Sequence, residues 1–350
     1  MRVLVTGGAG FVGSNFVRHL LRNASEIEVI NLDKLTYAGN ADNLLDVSAD
    51  SRYRFVLGDI ADARIVDSIL QAGVDSVVNL AAETHVDRSI LDSAPFLHTN
   101  VLGTQVLLES ARRHNIRRFI HVSSDEIYGS VQKGEFRGED ATLAPSSPYA
   151  ASKAAGDHLV SAYARTYGLP CLILRPSNNY GPRQFPEKFI PLVIANALDG
   201  KPLPIYGDGL HERDWMHVED FCAALLCALR MPEALGVYNI SANNPMVNLN
   251  LAGEILRILG KPTSLVRHVA DRLGHDRRYA MDSSSFRRDL GWEPKIPFEE
   301  GLRSTVKWYE ANAQFLERTR TAEYCRFYER NYGHRIIVSH VKASRSAPED

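Results

Sequence analysis

The 350-residue sequence predicts an α/β fold in which a doubly wound parallel sheet carries a smaller, interleaved α/β lobe. Three observations lead there. Short apolar, β-prone runs alternate with helix-length periodic segments through the first half of the chain. A glycine-rich turn joins the first such run to the first periodic segment. Beyond residue 176 the rhythm gives way to clusters of Pro, Gly, aromatic and charged residues that punctuate it.

Residues 2–6, R-V-L-V-T, form the first strand, and an apolar-periodic helix runs to Leu21 after G-G-A-G-F-V-G. Gly7, Gly10 and Gly13 are spaced G-x-x-G-x-x-G between the two. In that context such glycines bring backbone amides at a helix N-terminus close to a pyrophosphate. A second strand, Glu28 to Leu32, ends in Asp33. A carboxylate there accepts from ribose hydroxyls and repels a 2′-phosphate, which points to NAD rather than NADP in a Rossmann-type unit. Lys34, next to it, works against that repulsion.

The strand Arg54 to Leu57 leads through Gly58-Asp59-Ile60 to a helix from about Asp62 to Ala72. The strand Ser76 to Ala81 and a long helix from about Phe96 to His114 follow. Phe119 to Val122 is then the fifth strand, and its end delivers Ser123, Ser124, Asp125 and Glu126 to the carboxyl edge of the sheet, where open α/β folds place ligands. Adjacent strand residues point to opposite faces, so the two carboxylates serve one site only if the strand has ended. Tyr149 and Lys153, four apart in Y-A-A-S-K, share a helix face. An ammonium group beside a phenol is expected to lower its pKa toward that of a usable base.

Cys171 to Leu174 reads as a further strand, Asp220 to Leu229 as a helix, and Val237 to Ile240 as a strand returning to the sheet. Residues 1–176, with return segments near 214–242, are therefore expected to form a dinucleotide-binding domain. Residues 177–213 and 243–333 form the second lobe, with amphipathic helices at Leu249 to Leu259 and Phe298 to Asn312. The polar residues 334–350 are expected to be a flexible tail.

A net charge of -2, a pI near 6.6 and the absence of a basic run exclude a nucleic-acid footprint. No apolar stretch approaches a membrane span and no apolar leader precedes Arg2, so a cytoplasmic protein without membrane attachment is expected. Cys171, Cys222, Cys227 and Cys325 lack C-x-x-C spacing and read as reduced core residues, with no metal site.

With these residues in view, the chain resembles the extended short-chain dehydrogenase/reductase family, and within it the sugar-nucleotide 4,6-dehydratases of the dTDP-glucose type. The resemblance runs from Arg2 to about Gly333. Its blocks are D-K-L-T-Y-A-G-N (33–40), L-A-A-E-T-H-V-D-R-S (80–89), S-S-D-E-I-Y-G (123–129), S-N-N-Y-G-P (177–182), F-P-E-K (185–188), P-I-Y-G (204–207), R-D-W (213–215) and G-H-D-R-R-Y (274–279). The Asp125-Glu126 pair is the sharpest, because related 4-epimerases carry small residues there and GDP-mannose dehydratases carry S-E.

The resemblance implies a mechanism on dTDP-glucose. Tyr149, assisted by Lys153, removes the 4-hydroxyl proton as C4 gives its hydride to NAD⁺. Glu126, ionised, takes the acidified C5 proton, and Asp125, protonated, donates to the departing 6-hydroxyl. Hydride returns to C6, giving a 4-keto-6-deoxy sugar with no net redox change. Ser124 stands where the family usually has Thr; it keeps the hydroxyl for the sugar 4-oxygen and loses the branch that restricts χ1. Leu273 replaces a customary Pro.

The family also implies that Gly7, Gly10, Phe11, Val12, Gly13, Asp33, Lys34, Thr36, Leu80, Ala81, Ala82 and Thr99 hold NAD. Asp59 and Ile60 meet its adenine, while Tyr149, Lys153 and Asn179 stand on its nicotinamide side. Thr84, Ser124, Asn178, Glu187, Lys188, Phe189, Pro204, Tyr206, Arg213, Asn248 and His275 line the sugar nucleotide. Arg213 is assigned the diphosphate because its planar fork matches phosphate oxygens. A homodimer is implied as well. The alternatives are UDP-glucose as substrate, a 4-epimerase, a net redox enzyme, or a non-catalytic dinucleotide-binding protein.

Overall fold

The computed structural model describes residues 1–333, so the expected tail at 334–350 lies outside the described residues. Alternation of β-branched runs with periodic segments gives, in order, β1 (Arg2–Thr6), α1 (Phe11–Asn23), β2 (Glu28–Asp33), β3 (Tyr53–Leu57), α2 (Ala63–Gln71), β4 (Ser76–Asn79) and α3 (Val86–Leu91). A helical run follows, made of α4 (Ala94–Phe96), a wider π turn at Leu97–Gly103 and α5 (Thr104–Arg113). Then come β5 (Arg118–Val122), α6 (Pro148–Tyr167), β6 (Cys171–Pro176), β7 (Asn178–Tyr180), α7 (Phe189–Leu198), β8 (Leu203–Tyr206), β9 (Glu212–His217), α8 (Val218–Arg230) and β10 (Gly236–Ile240). The remainder is β11 (Pro245–Val247), α9 (Asn248–Ile258), β12 (Val266–Val269), α10 (Ser284–Leu290), α11 (Phe298–Ala311), α12 (Ala313–Thr319) and α13 (Ala322–Tyr328).

Seven strands form one sheet in the order β10-β6-β5-β4-β1-β2-β3, and every pairing in it is parallel. Strands buried on both faces must be apolar throughout, and Val3, Leu4, Val5, Val77, Val78, Phe119 and Ile120 are fully buried. One core lies between the sheet and α1 with α8; the other lies under α2, α5 and α6. Truncating Phe119 to Ala would cost about 3–5 kcal/mol.

The order of the strands reverses between β1 and β4, and at such a switch point the loops leaving neighbouring strands diverge and open a crevice. Strand β4 ends at Asn79, two residues short of the expected end, because Leu80 and Ala81 turn their amides onto the carbonyl and hydroxyl of Thr6. A third core, built from α7, α9, α11 and the short strands β8 and β9, stands over the carboxyl edge. Two small sheets, β11-β9-β7 and β12-β8, carry its loops. All four cysteines are free; Cys325 is exposed on α13 rather than in the core, since only one side of that short amphipathic helix packs inward.

Candidate active site

The first cleft, about 950 Å³, opens at the switch point. Gly7, Gly10, Phe11, Val12, Gly13, Asp33, Lys34, Thr36, Ile60, Leu80, Ala81, Ala82 and Thr99 line it. A Cβ on Gly13 would stand 2.1 Å from the Gly7 carbonyl oxygen, so the turn closes only on glycine. Helix α1 begins at Gly10 with neither a side-chain cap nor an acidic residue in its first turn, which leaves its positive end for an external anion. A Cβ on Gly10 would meet only the Gly7 carbonyl, at 3.3 Å, and would fill the face turned to the cleft. These features fit a dinucleotide pyrophosphate.

Asp33 is buried and accepts from the amides of Ala9 at 2.9 Å and Leu35 at 2.8 Å, so it shapes the loop as well as lining the cleft. Burial raises its pKa against those two bonds. Lys34 donates to Thr99 at 2.9 Å and lies 3.5 Å from Asp59. Asp59 itself turns to Lys34 and His98 instead of lining the cleft, and Tyr149, Lys153 and Asn179 do not line it either.

At the edge of that cleft β5 ends at Val122, and residues 125–128 coil into a single 3₁₀ turn. Ser124 starts the turn by accepting from the Glu126 amide at 3.2 Å. Of the two consecutive carboxylates the turn presents, Asp125 lines neither cleft. Asp125 is buried and its Oδ2 has no partner; burial first, and the neighbouring Glu126 second, push its pKa well above the carboxylate range. Glu126 faces the second cleft.

Helix α6 is started by the Ser147 hydroxyl, which accepts from Ala150, and by Pro148 in its first turn; left-handed Gly168 ends it. Tyr149 and Lys153 sit one turn apart, both buried. The expected lowering of the phenol's pKa is not found. Burial, followed by Glu126, pushes it up, with only a hydrogen bond to Ser124 opposing. The Lys153 ammonium is engaged elsewhere, donating to the Val122 carbonyl at 2.7 Å, and burial brings its own pKa down to about 8.

The second cleft, about 900 Å³, lies between the sheet edge and the third core. Asn178, Glu187, Lys188, Phe189, Pro204, Tyr206, Arg213, Asn248 and His275 line it, together with Glu126 and Asn179. Thr84 lines the first cleft instead, and Ser124 stays within its turn. Glu187 and Lys188 belong to both clefts. Arg213, a candidate surface ion pair by its flanking Glu212 and Asp214, is buried, donates to the Glu212 and Asp276 carbonyls, and lies 4.1 Å over the Tyr279 ring. His275 is clamped by Asp271 at 2.7 Å and stacked on His211 at 3.6 Å; burial and the nearby arginines lower its pKa. Buried polar atoms of Asn178, Gln184, Trp215, Asn248 and Arg272 lack hydrogen-bond partners around this cleft.

The family model described as GDP-mannose 4,6 dehydratase matches residues 4–305. A dTDP-glucose 4,6-dehydratase of Streptomyces niveus is 50% identical over 91% of this chain and 95% of its own length. One from Salmonella typhimurium is 47% identical over 95% and 99%. The chain belongs to the dTDP-glucose 4,6-dehydratases. The crystal structure of another member, DesIV of Streptomyces venezuelae with NAD and dTDP bound, superposes with a TM-score of 0.89 at 50% identity, covering 91% of this chain and all of that one.

As a member of this family, the chain shows in its second cleft several residues that sequence reasoning did not select: Arg272, Trp215, Gln184, Asp87 and Tyr332. Arg272 stands two residues before the G-H-D-R-R-Y block and Gln184 one before F-P-E-K, so their position beside those blocks was the available signal. Asp87 stands inside L-A-A-E-T-H-V-D-R-S and Trp215 ends R-D-W, so those blocks held them too, while Tyr332 carries no such signal. Leu273, in place of the customary Pro, is 77% exposed, so the departure leaves the cleft wall untouched.

Proposed function

We propose that this chain dehydrates dTDP-glucose to dTDP-4-keto-6-deoxyglucose, holding NAD in the first cleft and the sugar nucleotide in the second. The observation that carries the reading is the turn after β5, which sets a buried, proton-retaining Asp125 beside a Glu126 that faces the second cleft. Two carboxylates in different environments are what an elimination needs, one as acid and one as base.

When bound, NAD⁺ supplies the hydride acceptor at C4 and the donor at C6, and its positive charge favours the Tyr149 phenolate. Tyr149 takes the 4-hydroxyl proton, with Ser124 hydrogen-bonded to it. Lys153 holds the strand end through the Val122 carbonyl. Glu126 removes the C5 proton, Asp125 protonates the leaving 6-hydroxyl, and Glu126, after exchange with solvent, returns a proton to C5 as C6 is reduced. Arg213 and Arg272 neutralise the diphosphate, while the amides of Asn178 and Asn248 orient the sugar nucleotide.

Residues 1–176 and 214–242 serve the cofactor in this reading, and residues 177–213 and 243–333 serve the sugar nucleotide. The enzyme is a lyase. Four free cysteines agree with the cytoplasm. Exposed Leu97, Leu102 and Tyr167, on helical segments packed side by side, offer apolar surface for a second copy in a homodimer. No helix among the described residues is long and apolar enough to cross a membrane.

The test is to incubate the purified chain with dTDP-glucose and, separately, UDP-glucose, first without and then with added NAD⁺. A 4-keto-6-deoxy product from dTDP-glucose is expected. Product from UDP-glucose alone would transfer the reading to the uridine nucleotide, and no such product from either sugar would refute it.

A further inference from the structure

Arg88 has no part in the chemistry above, yet its side chain is the meeting point of four separate segments. Its Nε donates to Glu187 Oε2 at 3.0 Å and its Nη1 to Glu323 Oε1 at 3.0 Å. The guanidinium carbon lies over two rings, 3.7 Å from the centroid of Tyr37 and 4.3 Å from that of Phe327. The Tyr37 hydroxyl also hydrogen-bonds Glu187, and its ring meets the edge of Phe185 at 5.7 Å. The carboxylate of Glu187 is thus gripped from two sides, with its side chain only 2% exposed.

The placement of these residues gives the cluster a consequence for the first cleft. Thr36, Ala38 and Gly39, on the loop after β2, form one wall of that cleft, while Gln184, Phe185, Glu187 and Lys188 form another. Tyr37 lies in the first of these segments without lining the cleft itself, and Glu187 lines it from the second. Arg88 therefore ties the two walls together, and α13 backs it through Glu323 and Phe327. A guanidinium suits this position because its plane stacks on rings while its edge donates to carboxylates, which a lysine ammonium does not do.

We propose that Arg88 is a positioning residue that latches the 36–39 wall to the 184–188 wall, so that NAD stays on the chain through each turnover while Glu187 is held between the clefts. The proposal rests on the assignment of the first cleft to NAD. An enzyme whose cofactor leaves reduced in mid-cycle is stranded, so a recycled cofactor calls for a closed cleft.

The test compares the unaltered chain with Arg88→Met, which keeps the stem and loses the fork, and with Tyr37→Leu, which releases the other side of the latch. Each protein is loaded with NAD⁺ and passed through gel filtration, and the NAD remaining is quantified by chromatography after denaturation. Arg88→Met is expected to release NAD about tenfold faster, and its keto-deoxy product formation should recover when NAD⁺ is added to the assay. Tyr37→Leu should fall between the two. If circular dichroism shows Arg88→Met to be unfolded, Tyr37→Leu decides alone. NAD retention by the folded variants equal to that of the unaltered chain would overturn the latch, as would release of NAD by the unaltered chain in the same step. Retention that follows this pattern without any keto-deoxy product would count against the proposed reaction and leave the latch standing.

Discussion

The two clefts differ in what their walls are made of. The first is centred on backbone at the switch point: a glycine turn, the uncapped start of α1 and the Leu80 to Ala82 segment that follows β4. Polar side chains along it are engaged within the protein, as Asp33 is by the Ala9 and Leu35 amides and Lys34 by the Thr99 hydroxyl. The second is formed by side chains from widely separated segments, and several of their buried polar atoms have no protein partner. A backbone-built site is damaged by adding atoms, and a side-chain-built site by removing them. The turn at 123–128, proposed to carry the acid and the base, joins the second cleft through Glu126.

The largest effect should come from that junction. Glu126→Gln is expected to lower product formation about 10²–10⁴-fold while still allowing oxidation at C4. Rapid-mixing absorbance would then show reduced nicotinamide appearing with dTDP-glucose and persisting; normal turnover in this variant would remove Glu126 from its role. In the first cleft, Gly13→Ala adds one carbon where only 2.1 Å is available. It should cost about 1–3 kcal/mol of stability, read as a lower urea midpoint, and abolish NAD retention. In the second cleft, Asn248→Ala removes a partner without crowding anything. It should raise the KM for the sugar nucleotide by about tenfold and leave NAD content unchanged, and a loss of NAD there would blur the distinction between the clefts.

A smaller effect separates acid from base by pH. Asp125 has a folded-state pKa raised above its unfolded value, so the folded chain binds that proton more tightly than the unfolded chain does. Its contribution to stability is therefore present at low pH and lost as pH rises above the ordinary carboxylate range. Asp125→Asn removes this dependence. The melting temperature of the variant relative to the unaltered chain should increase between pH 5 and pH 8, although activity is lost; a constant difference would mean that Asp125 titrates normally. The smallest effect is expected for Ser124→Thr, which keeps the hydroxyl that caps the turn and should change turnover by no more than about threefold.

The same contrast explains how much could be read from the sequence. Spacing alone located the glycine turn, Asp33 and the alternation of strands with helices, because those features follow from what the backbone needs locally. The end of β5 before Asp125 was likewise implied by demanding that two adjacent carboxylates share a site. Composition and periodicity could not locate Asn178, Arg213 and Asn248 in one cleft, since β7, β9 and α9 meet only through tertiary packing; only the family resemblance grouped them. Arg272 and Tyr332 escaped even that. The pKa of Tyr149 went the other way from expectation because a helical i, i+4 spacing fixes where Lys153 starts but not where its ammonium ends, and the Val122 carbonyl claims it. Arg88 lies inside the L-A-A-E-T-H-V-D-R-S block, but its contacts were not legible, because its two carboxylates and two rings lie far away in the chain.

The central claim is that one chain oxidises, eliminates and reduces without releasing either the sugar or the reducing equivalents. It is tested most directly with dTDP-glucose carrying deuterium at C4, incubated with the NAD-loaded protein in ordinary water. The account predicts deuterium at C6 of the 4-keto-6-deoxy product and a solvent-derived hydrogen at C5, with no net accumulation of NADH. Deuterium lost to solvent, or NADH formed in step with product, would contradict it.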